Sequence, residues 1–171
     1  VASDALMSIG YQAIMAPLVI VICDDPGCHS SSNEQDSRYW GIMAHVPVFN
    51  PSNPMQALQM TKDAFRLSEE TGLPVIIRST TRVSHSRGVV YYGKRTYDIR
   101  PASFDRIPEN INIPSRTAAA HRRLVDRLNG DRVLAYHKKY SEMIIPQNRK
   151  DHGIISSGVP ISYLDEVLHE Q

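Results

Sequence analysis

An uninterrupted apolar run is the feature that most constrains the fold of this chain. Residues Leu18 to Cys23, LVIVIC, include no polar residue that would mark a side facing solvent. Such a run is typical of a strand covered on both faces, as in a parallel sheet with helices on either side. It ends at Asp24-Asp-Pro-Gly27, a sequence that favours a turn. We therefore predict a buried strand that is followed at once by a turn.

Helices and strands are predicted to alternate around this run. Residues 2–13 carry apolar side chains at helical spacing, and the segments 46–49 and 75–77 have the composition of short buried strands. This alternation predicts an α/β fold with a doubly wound, mostly parallel sheet.

The helix between the second and third strands has clear end signals. Asn53 is predicted to cap it, with Pro54 at its first position, Gln56 as the partner in a capping box and Gly72 as the left-handed residue that ends it. Its predicted buried stripe comprises Ala57, Met60, Ala64 and Leu67, widened by Leu58 and Phe65.

The second half of the chain has a different character. Residues 89–150 are polar and interrupted by prolines, with helix-like stretches at 116–128 and 136–140, which predicts an irregular connector after a first domain at 1–88. Residues 151–171 are predicted to begin another α/β domain, with a strand and glycine turn at 153–158 and a helix at 160–169. The predicted inward positions of that helix are Ile161, Leu164, Val167 and Leu168.

Net charge and cysteine content limit the kinds of partner and metal site that can be expected. Nineteen Lys and Arg residues against eighteen Asp and Glu residues leave a net charge of +1, which gives no electrostatic reason to expect nucleic acid or an anionic membrane as a partner. The longest apolar stretch is too short to cross a bilayer.

Cys23 and Cys28 are interpreted as reduced thiols of a cytoplasmic protein, the first on a buried strand. Together with His29 they are too few for a structural zinc site. We therefore expect no metal ligands in the chain.

Two polar loops follow predicted strands. One runs from Asp24 to Arg38 and contains His29; the other runs from Arg78 to Arg87 and contains His85. Ligands of doubly wound sheets bind beyond the carboxyl ends of the strands. If the two parent strands are neighbours, both imidazoles could exchange protons in one pocket, and the arginines could hold a carboxylate or phosphate.

The same residues also have a structural explanation. Ser32 or Asn33 could cap a following helix, and Glu34 and Asp36 would then lie at its positive end. Histidines between serines are often surface or hydrogen-bonded structural residues, so spacing alone leaves both interpretations open. The sequence contains none of the motifs G-x-G-x-x-G, G-x-x-x-x-G-K-[ST] or G-x-S-x-G.

The two loops together carry a family resemblance. VIVICDDPGCHSSSNEQDSRYWG, followed by FNPSNPMQALQMTKDAFRLSEETGLPVIIRSTTRVSHSRG, resembles the α subunit of indolepyruvate ferredoxin oxidoreductases. These are thiamine-dependent 2-oxoacid:ferredoxin oxidoreductases. The resemblance is dense from residue 1 to about 89, loose through the connector, and returns at GIISSGV.

The resemblance implies a fold, a reaction and a set of roles. It implies the second half of a thiamine pyrimidine-binding domain, a connector and the start of a transketolase-C-terminal-like domain. The implied reaction is oxidative decarboxylation of a 2-oxoacid, such as indolepyruvate or another aryl pyruvate, to an acyl-CoA with reduction of ferredoxin. Its implied cofactors are thiamine diphosphate with Mg²⁺, at a site completed by other segments, and iron–sulfur clusters elsewhere in the enzyme. The implied roles are proton transfer for His29 and His85, substrate carboxylate binding for Arg38 and Arg82, and cofactor contacts for Ser30, Ser31 and Asn33.

Several family features are missing from these 171 residues. The glutamate that activates the thiamine, the motif for diphosphate and magnesium, and the cysteine-rich cluster motifs are not present. We therefore expect this chain to be part of a larger enzyme and to be inactive without the remaining domains or subunits. Two alternatives stay open: a non-catalytic α/β module that binds a partner subunit, and a thiamine-dependent decarboxylase or synthase that does not use ferredoxin.

Overall fold

The chain folds around a small parallel sheet. The computed structural model describes residues 2–94, 101, 103–144 and 153–169. Strands β1 (Val19–Asp24), β2 (Val48–Phe49) and β3 (Val75–Thr80) lie in the order β1-β3-β2, and both pairings are parallel. The helices are α1 (Ala2–Tyr11), α2 (Arg38–Ala44), α3 (Pro54–Thr71), α4 (Thr81–His85), α5 (Pro114–Leu128), α6 (Asp131–Tyr140) and α7 (Val159–His169), with a short 3₁₀ helix at Pro108–Asn110. The predicted α/β class with parallel strands is confirmed.

Helices cover both faces of the central strand. On one face, Leu6 of α1 and Ala44 of α2 pack with Ile76 of β3. On the other, Met60 of α3 packs with Val75. Since successive strand residues point to opposite faces, β3 is buried on both of its sides. The prediction of a strand buried on both faces therefore holds for β3.

That prediction is wrong for β1, the strand on which it was first based. Val21 is 62% exposed, and Cys23 is also exposed as a free thiol. β1 is an edge strand of the described sheet, so its outer positions lack the cover that β3 receives. An apolar groove of about 670 Å³ lies beside it, lined by residues of α1, β1 and α2 that include Ile9, Ile22 and Trp40.

Helix α3 follows its sequence signals closely. The Asn53 side chain accepts a hydrogen bond from the Gln56 amide at 2.9 Å, and the Gln56 side chain accepts one from the Ser52 amide at 3.0 Å. Gly72 ends the helix at φ 67°, in the left-handed region. One position of the predicted stripe is wrong, because Phe65 is 46% exposed. It follows the buried Ala64 by one residue and is therefore turned about 100° away around the helix axis.

The connector carries two helices that pack on the first part of the chain. In α5, Leu124 is 1% exposed and lies beside Gly10 of α1, where a Cβ atom would come within 3.6 Å of the leucine side chain. Helix α6 begins at Asp131, five residues before the predicted start, and packs on α3. No helix within the described ranges is long and apolar enough to cross a membrane.

The strand predicted at 153–158 is wrong. Ile154 and Ile155 of this irregular segment are exposed, and Gly158, at φ 71°, lies against Asn50, which follows β2. An Asn50–Ser157 hydrogen bond of 2.9 Å contributes to this contact.

The helix predicted after this segment is present, as α7, but it is less buried than predicted. Val167 and Leu168 are 58% and 54% exposed, because nothing in the described ranges covers that side of it. The proposed division into domains, whose connector end at 145–150 lies outside the described residues, stays a prediction.

Candidate functional site

The two polar loops leave the same end of the sheet. β1 and β3 are parallel neighbours, with Asp24 paired in register with Thr80. The chain therefore leaves both strands at the same level, into the Asp24–Arg38 loop and into α4. A pocket shared by His29 and His85 requires that their parent strands are neighbours, and β1 and β3 are neighbours.

A buried ion pair lies at the base of this end. Asp24 accepts hydrogen bonds from Arg78 Nε at 2.5 Å and from the Ser37 amide and hydroxyl at 2.7 and 2.6 Å. The side chains of Asp24 and Arg78 are only 1% and 6% exposed. The pair joins β1 to β3, and Ser37 brings the far end of the loop back to the point where β1 ends.

A second carboxylate, that of Asp25, organises the part of the loop around His29. One of its oxygens accepts from the amides of Ser30 and Ser31 at 2.6 and 2.9 Å and from the Ser31 hydroxyl at 3.0 Å. The other accepts from the hydroxyl of Thr81, the first residue of α4, at 2.7 Å. These donors, led by Thr81, hold the pKa of Asp25 well below its usual range.

The two candidate histidines lie in exposed positions at this end. The exposed His29 side chain lies beside Gly27, where a Cβ atom would be 3.6 Å from Nε2. At φ 84°, Gly27 adopts a left-handed conformation that suits glycine. His85 is the last residue of α4 and is also exposed. Exposed imidazoles at the carboxyl end of a sheet are available to a ligand.

The two candidate arginines differ in their surroundings. Arg38 forms a bidentate ion pair with Asp36, and its guanidinium lowers the pKa of that carboxyl to about 2. Arg78 adds a longer contact of 3.5 Å to the same carboxylate. Arg82, on α4, is exposed and lies 3.4 Å from the hydroxyl of Tyr163 in α7. Of the two, Arg38 already holds a carboxylate of this chain.

The expected capping role of Ser32 or Asn33 is wrong. Helix α2 begins later, at Arg38, with Ser37 at its N-cap. The Ser37 hydroxyl makes no capping hydrogen bond, because it is bound to Asp24. The contact with Asp24 places the start of the helix at the end of β1, and the loop from 28 to 36 remains irregular.

Sequence reasoning missed the importance of Asp24, Arg78 and Asn50. Asn50 follows β2, accepts from Arg78 at 3.3 Å and donates to Ser157, so it extends the polar cluster to the third strand end. The signal was partial: Arg78 directly follows three apolar strand residues, in VIIR, and a charged residue that is buried with its strand needs a partner.

This chain is similar to indolepyruvate oxidoreductase subunit IorA of several archaea. It is 37% identical over 169 residues to the subunit of Methanothermobacter thermautotrophicus. It is 36% identical over 170 residues to that of Archaeoglobus fulgidus, and 35% identical over 174 residues to that of Pyrococcus abyssi. Each alignment covers 98% of this chain.

The chain is homologous to part of IorA. It spans 27% of the length of each of these IorA subunits, and the resemblance found at the two loops is thereby confirmed. No protein-family model and no solved structure matches the chain.

In this IorA homologue, the donor set at the sheet end fits an organic ligand better than a metal ion. It offers imidazoles, hydroxyls and a side-chain amide, from residues such as His29, Ser30 and Asn33. The two buried carboxylates, Asp24 and Asp25, already accept several hydrogen bonds from the protein. Within the described part of the chain, no group of three or more His, Cys, Asp or Glu side chains could hold a metal ion.

Proposed function

We propose that this chain forms one wall of the substrate and cofactor pocket of a larger 2-oxoacid oxidoreductase. The proposed enzyme uses thiamine diphosphate with Mg²⁺, iron–sulfur clusters, coenzyme A and ferredoxin, and its substrate is indolepyruvate or another aryl pyruvate. The observation that carries the proposal is that the Asp24–Arg38 loop (the His29 loop) and α4 leave adjacent parallel strands at one end of the sheet. The similarity to IorA supports the reaction class.

The residues of this chain are proposed to share the binding of the cofactor with segments outside it. Thiamine diphosphate, when bound, supplies the carbon nucleophile that allows a 2-oxoacid to lose carbon dioxide. Ser30, Ser31 and Asn33 would contact the organic part of the cofactor, while magnesium and the diphosphate would be held by segments outside this chain. Since the Ser31 hydroxyl is also bonded to Asp25 and to the Asn33 carbonyl, Ser31 has a second role, which is to hold the loop in shape.

Arg82 is proposed to bind the carboxylate of the oxoacid. A guanidinium holds a carboxylate through two parallel hydrogen bonds. Arg38 already makes such an interaction with Asp36, so binding a substrate carboxylate would require that pair to open. Arg82 makes no ion pair with a carboxylate of the described residues, and Tyr163 beside it offers a hydroxyl to the same ligand.

His29 and His85 are proposed to move protons at the reacting carbon or carbonyl oxygen. An imidazole titrates near neutral pH and can therefore donate and accept a proton within one turnover.

The two exposed thiols, Cys23 and Cys28, favour a reducing compartment, and we propose a cytoplasmic enzyme.

The test is the substitution His29→Ala in the complete enzyme. We expect oxoacid-dependent reduction of ferredoxin to fall at least about tenfold, the low end for loss of an acid–base group. Asp126→Ala, which removes an exposed carboxylate on α5, is the matched control and should keep full turnover.

Three results would change the proposal. Unchanged turnover in His29→Ala would remove His29 from the chemistry. Decarboxylation that continues at full rate without ferredoxin would favour a thiamine-dependent decarboxylase or synthase, and a complete protein that binds neither thiamine diphosphate nor an oxoacid would favour a non-catalytic interaction module.

A further inference from the structure

Asp25 is a buried carboxylate that the proposed chemistry does not use. It is 5% exposed and accepts four hydrogen bonds, two from backbone amides and two from hydroxyls. Three of these bonds reach Oδ2 and one reaches Oδ1, so Oδ1 keeps one of its two acceptor positions. With four donors already bound and little exposure, Asp25 is better suited to hold its neighbours in place than to take a proton from a substrate.

Its two oxygens serve two different elements. Oδ2 holds Ser30 and Ser31, the two residues that follow His29. Oδ1 holds Thr81, the residue before Arg82 in the helix that ends at His85. One rigid group thus fixes the backbone next to one candidate histidine against the start of the helix that carries the other.

We propose that Asp25 is a positioning residue, which holds the His29 loop and the α4 helix in the one relative arrangement that the oxoacid site requires. This inference rests on the proposed function. Asp25 acts through His29, Arg82 and His85, and it touches neither substrate nor cofactor. Because the β1 strand ends at Asp24, directly before it, Asp25 takes its own position from the sheet.

The choice of substitutions follows from the hydrogen bonds. Asp25→Ala removes both connections. Asp25→Asn keeps a carbonyl that can accept from Ser30 and Ser31, and its amide can donate to the Thr81 hydroxyl, so most of the arrangement should survive. Thr81→Val cuts only the connection to α4, whereas Thr81→Ser keeps the hydroxyl and is its matched control.

The first measurement is hydrogen exchange in the complete enzyme. We expect Asp25→Ala to speed exchange of the amides at 28–33 and at 81–86 together. Thr81→Val should speed exchange at 81–86 alone, and Asp25→Asn and Thr81→Ser should stay close to the wild type. If Asp25→Ala does not fold, Thr81→Val tests the connection by itself, and unchanged exchange at 81–86 in that variant would overturn the proposal.

The second measurement is steady-state kinetics with the oxoacid as the varied substrate. Displacement of catalytic groups by about 1 Å can reduce the rate by about a hundredfold, so we expect Asp25→Ala to lower kcat/KM by about 10- to 100-fold and Asp25→Asn to restore most of it. In a His29→Ala background, the further loss caused by Asp25→Ala should be smaller, because part of its effect passes through His29.

The two proposals fail in different ways. A complete protein that binds neither thiamine diphosphate nor an oxoacid overturns the proposed function, whatever the exchange data give. If His29→Ala is impaired while Asp25→Ala keeps wild-type exchange in both segments and wild-type kcat/KM, the proposed function stands and the positioning role of Asp25 is overturned. An equally severe loss in Asp25→Asn and Asp25→Ala would also contradict the positioning role, since it would show that the charge and not the arrangement is needed.

Discussion

Two buried carboxylates, Asp25 and Asp63, are alike in chemistry and different in what they hold. Asp63 lies on α3, is 1% exposed, and accepts from Lys139 Nζ and from the Tyr140 hydroxyl, each at 2.5 Å. Both partners belong to α6, so Asp63 holds one helix against another. Asp25 holds an irregular loop and the start of a short helix at the end of the sheet.

The difference lies in the neighbours of each carboxylate. The donors to Asp63 named above are side chains, and one of them, Tyr140, packs on the core, where its ring lies 5.4 Å from the ring of Phe49. Asp25 draws on backbone amides and hydroxyls next to the exposed His29 and Arg82. A buried carboxylate is therefore no sign of chemistry by itself; the exposed functional groups that it positions are the informative feature.

The largest expected effect concerns the arginines at the sheet end. Arg82→Gln should raise the KM for the oxoacid by about 10- to 100-fold, since a hydrogen bond to a charged group contributes about 1.5–3 kcal/mol. Arg38→Gln should raise it much less, because Arg38 is already paired with Asp36. Initial-rate kinetics with both variants would measure this, and a larger effect for Arg38 would reverse the assignment.

The next effect concerns Asp63 and stability. Asp63→Ala should lower the free energy of unfolding by about 1–3 kcal/mol, because it leaves the partly buried Tyr140 hydroxyl and the Lys139 ammonium without their acceptor. Chemical denaturation would measure the loss. The kcat of the variant should stay at the wild-type value below its melting temperature, whereas a proportional fall in kcat would break the distinction between the two carboxylates.

Tyr140→Phe is the matched control for that experiment. It keeps the ring beside Phe49 and removes only the hydroxyl that donates to Asp63. We expect a loss of about 1 kcal/mol, the usual contribution of one hydrogen bond. A loss as large as that of Asp63→Ala would place the whole effect on the tyrosine hydroxyl.

The smallest effect is the pH dependence of the Asp63 contact. Burial raises the pKa of Asp63, but the hydrogen bonds from Lys139 and Tyr140 outweigh it and lower the pKa overall. For Tyr140, burial and the bond to Asp63 raise the pKa. Because the pKa of Asp63 is lower in the folded state, its ionised form stabilises the folded protein above the unfolded-state pKa of about 4, and this contribution is lost as the pH falls through the folded-state pKa. Because the pKa of Tyr140 is higher in the folded state, its protonated form stabilises the folded protein below the unfolded-state pKa of about 10, and this contribution is lost as the pH rises through the folded-state pKa. The stability difference between wild type and Asp63→Ala should thus be constant from about pH 5 to 9 and shrink outside this range.

Local signals in the sequence predicted much of the fold. The caps of α3 are short-range features, because Asn53, Gln56 and Gly72 act on backbone within a few residues of themselves. The parallel strands were predicted from apolar runs, and the two polar loops from their position after those runs. What each loop residue does was implied by a resemblance and not by any local pattern.

Long-range contacts could not be predicted in the same way. The exposure of Val21 depends on which strand lies at the edge of the sheet, and the contact of Asp63 with Tyr140 joins residues 77 apart in sequence. The capping prediction at Ser32 and Asn33 failed for the same reason, since Asp24 binds Ser37 thirteen residues away. No pattern of neighbouring residues encodes such pairs.

The most direct test compares His29→Ala with Asp63→Ala in the complete enzyme. Oxoacid-dependent ferredoxin reduction and melting temperature are measured for both variants, with turnover read below the lower melting temperature. We expect His29→Ala to lose at least about tenfold in turnover with an unchanged melting temperature, and Asp63→Ala to melt earlier with full turnover. Full turnover in His29→Ala, or equal losses of turnover in both variants, would contradict the proposal that the chemistry belongs to the carboxyl end of the sheet.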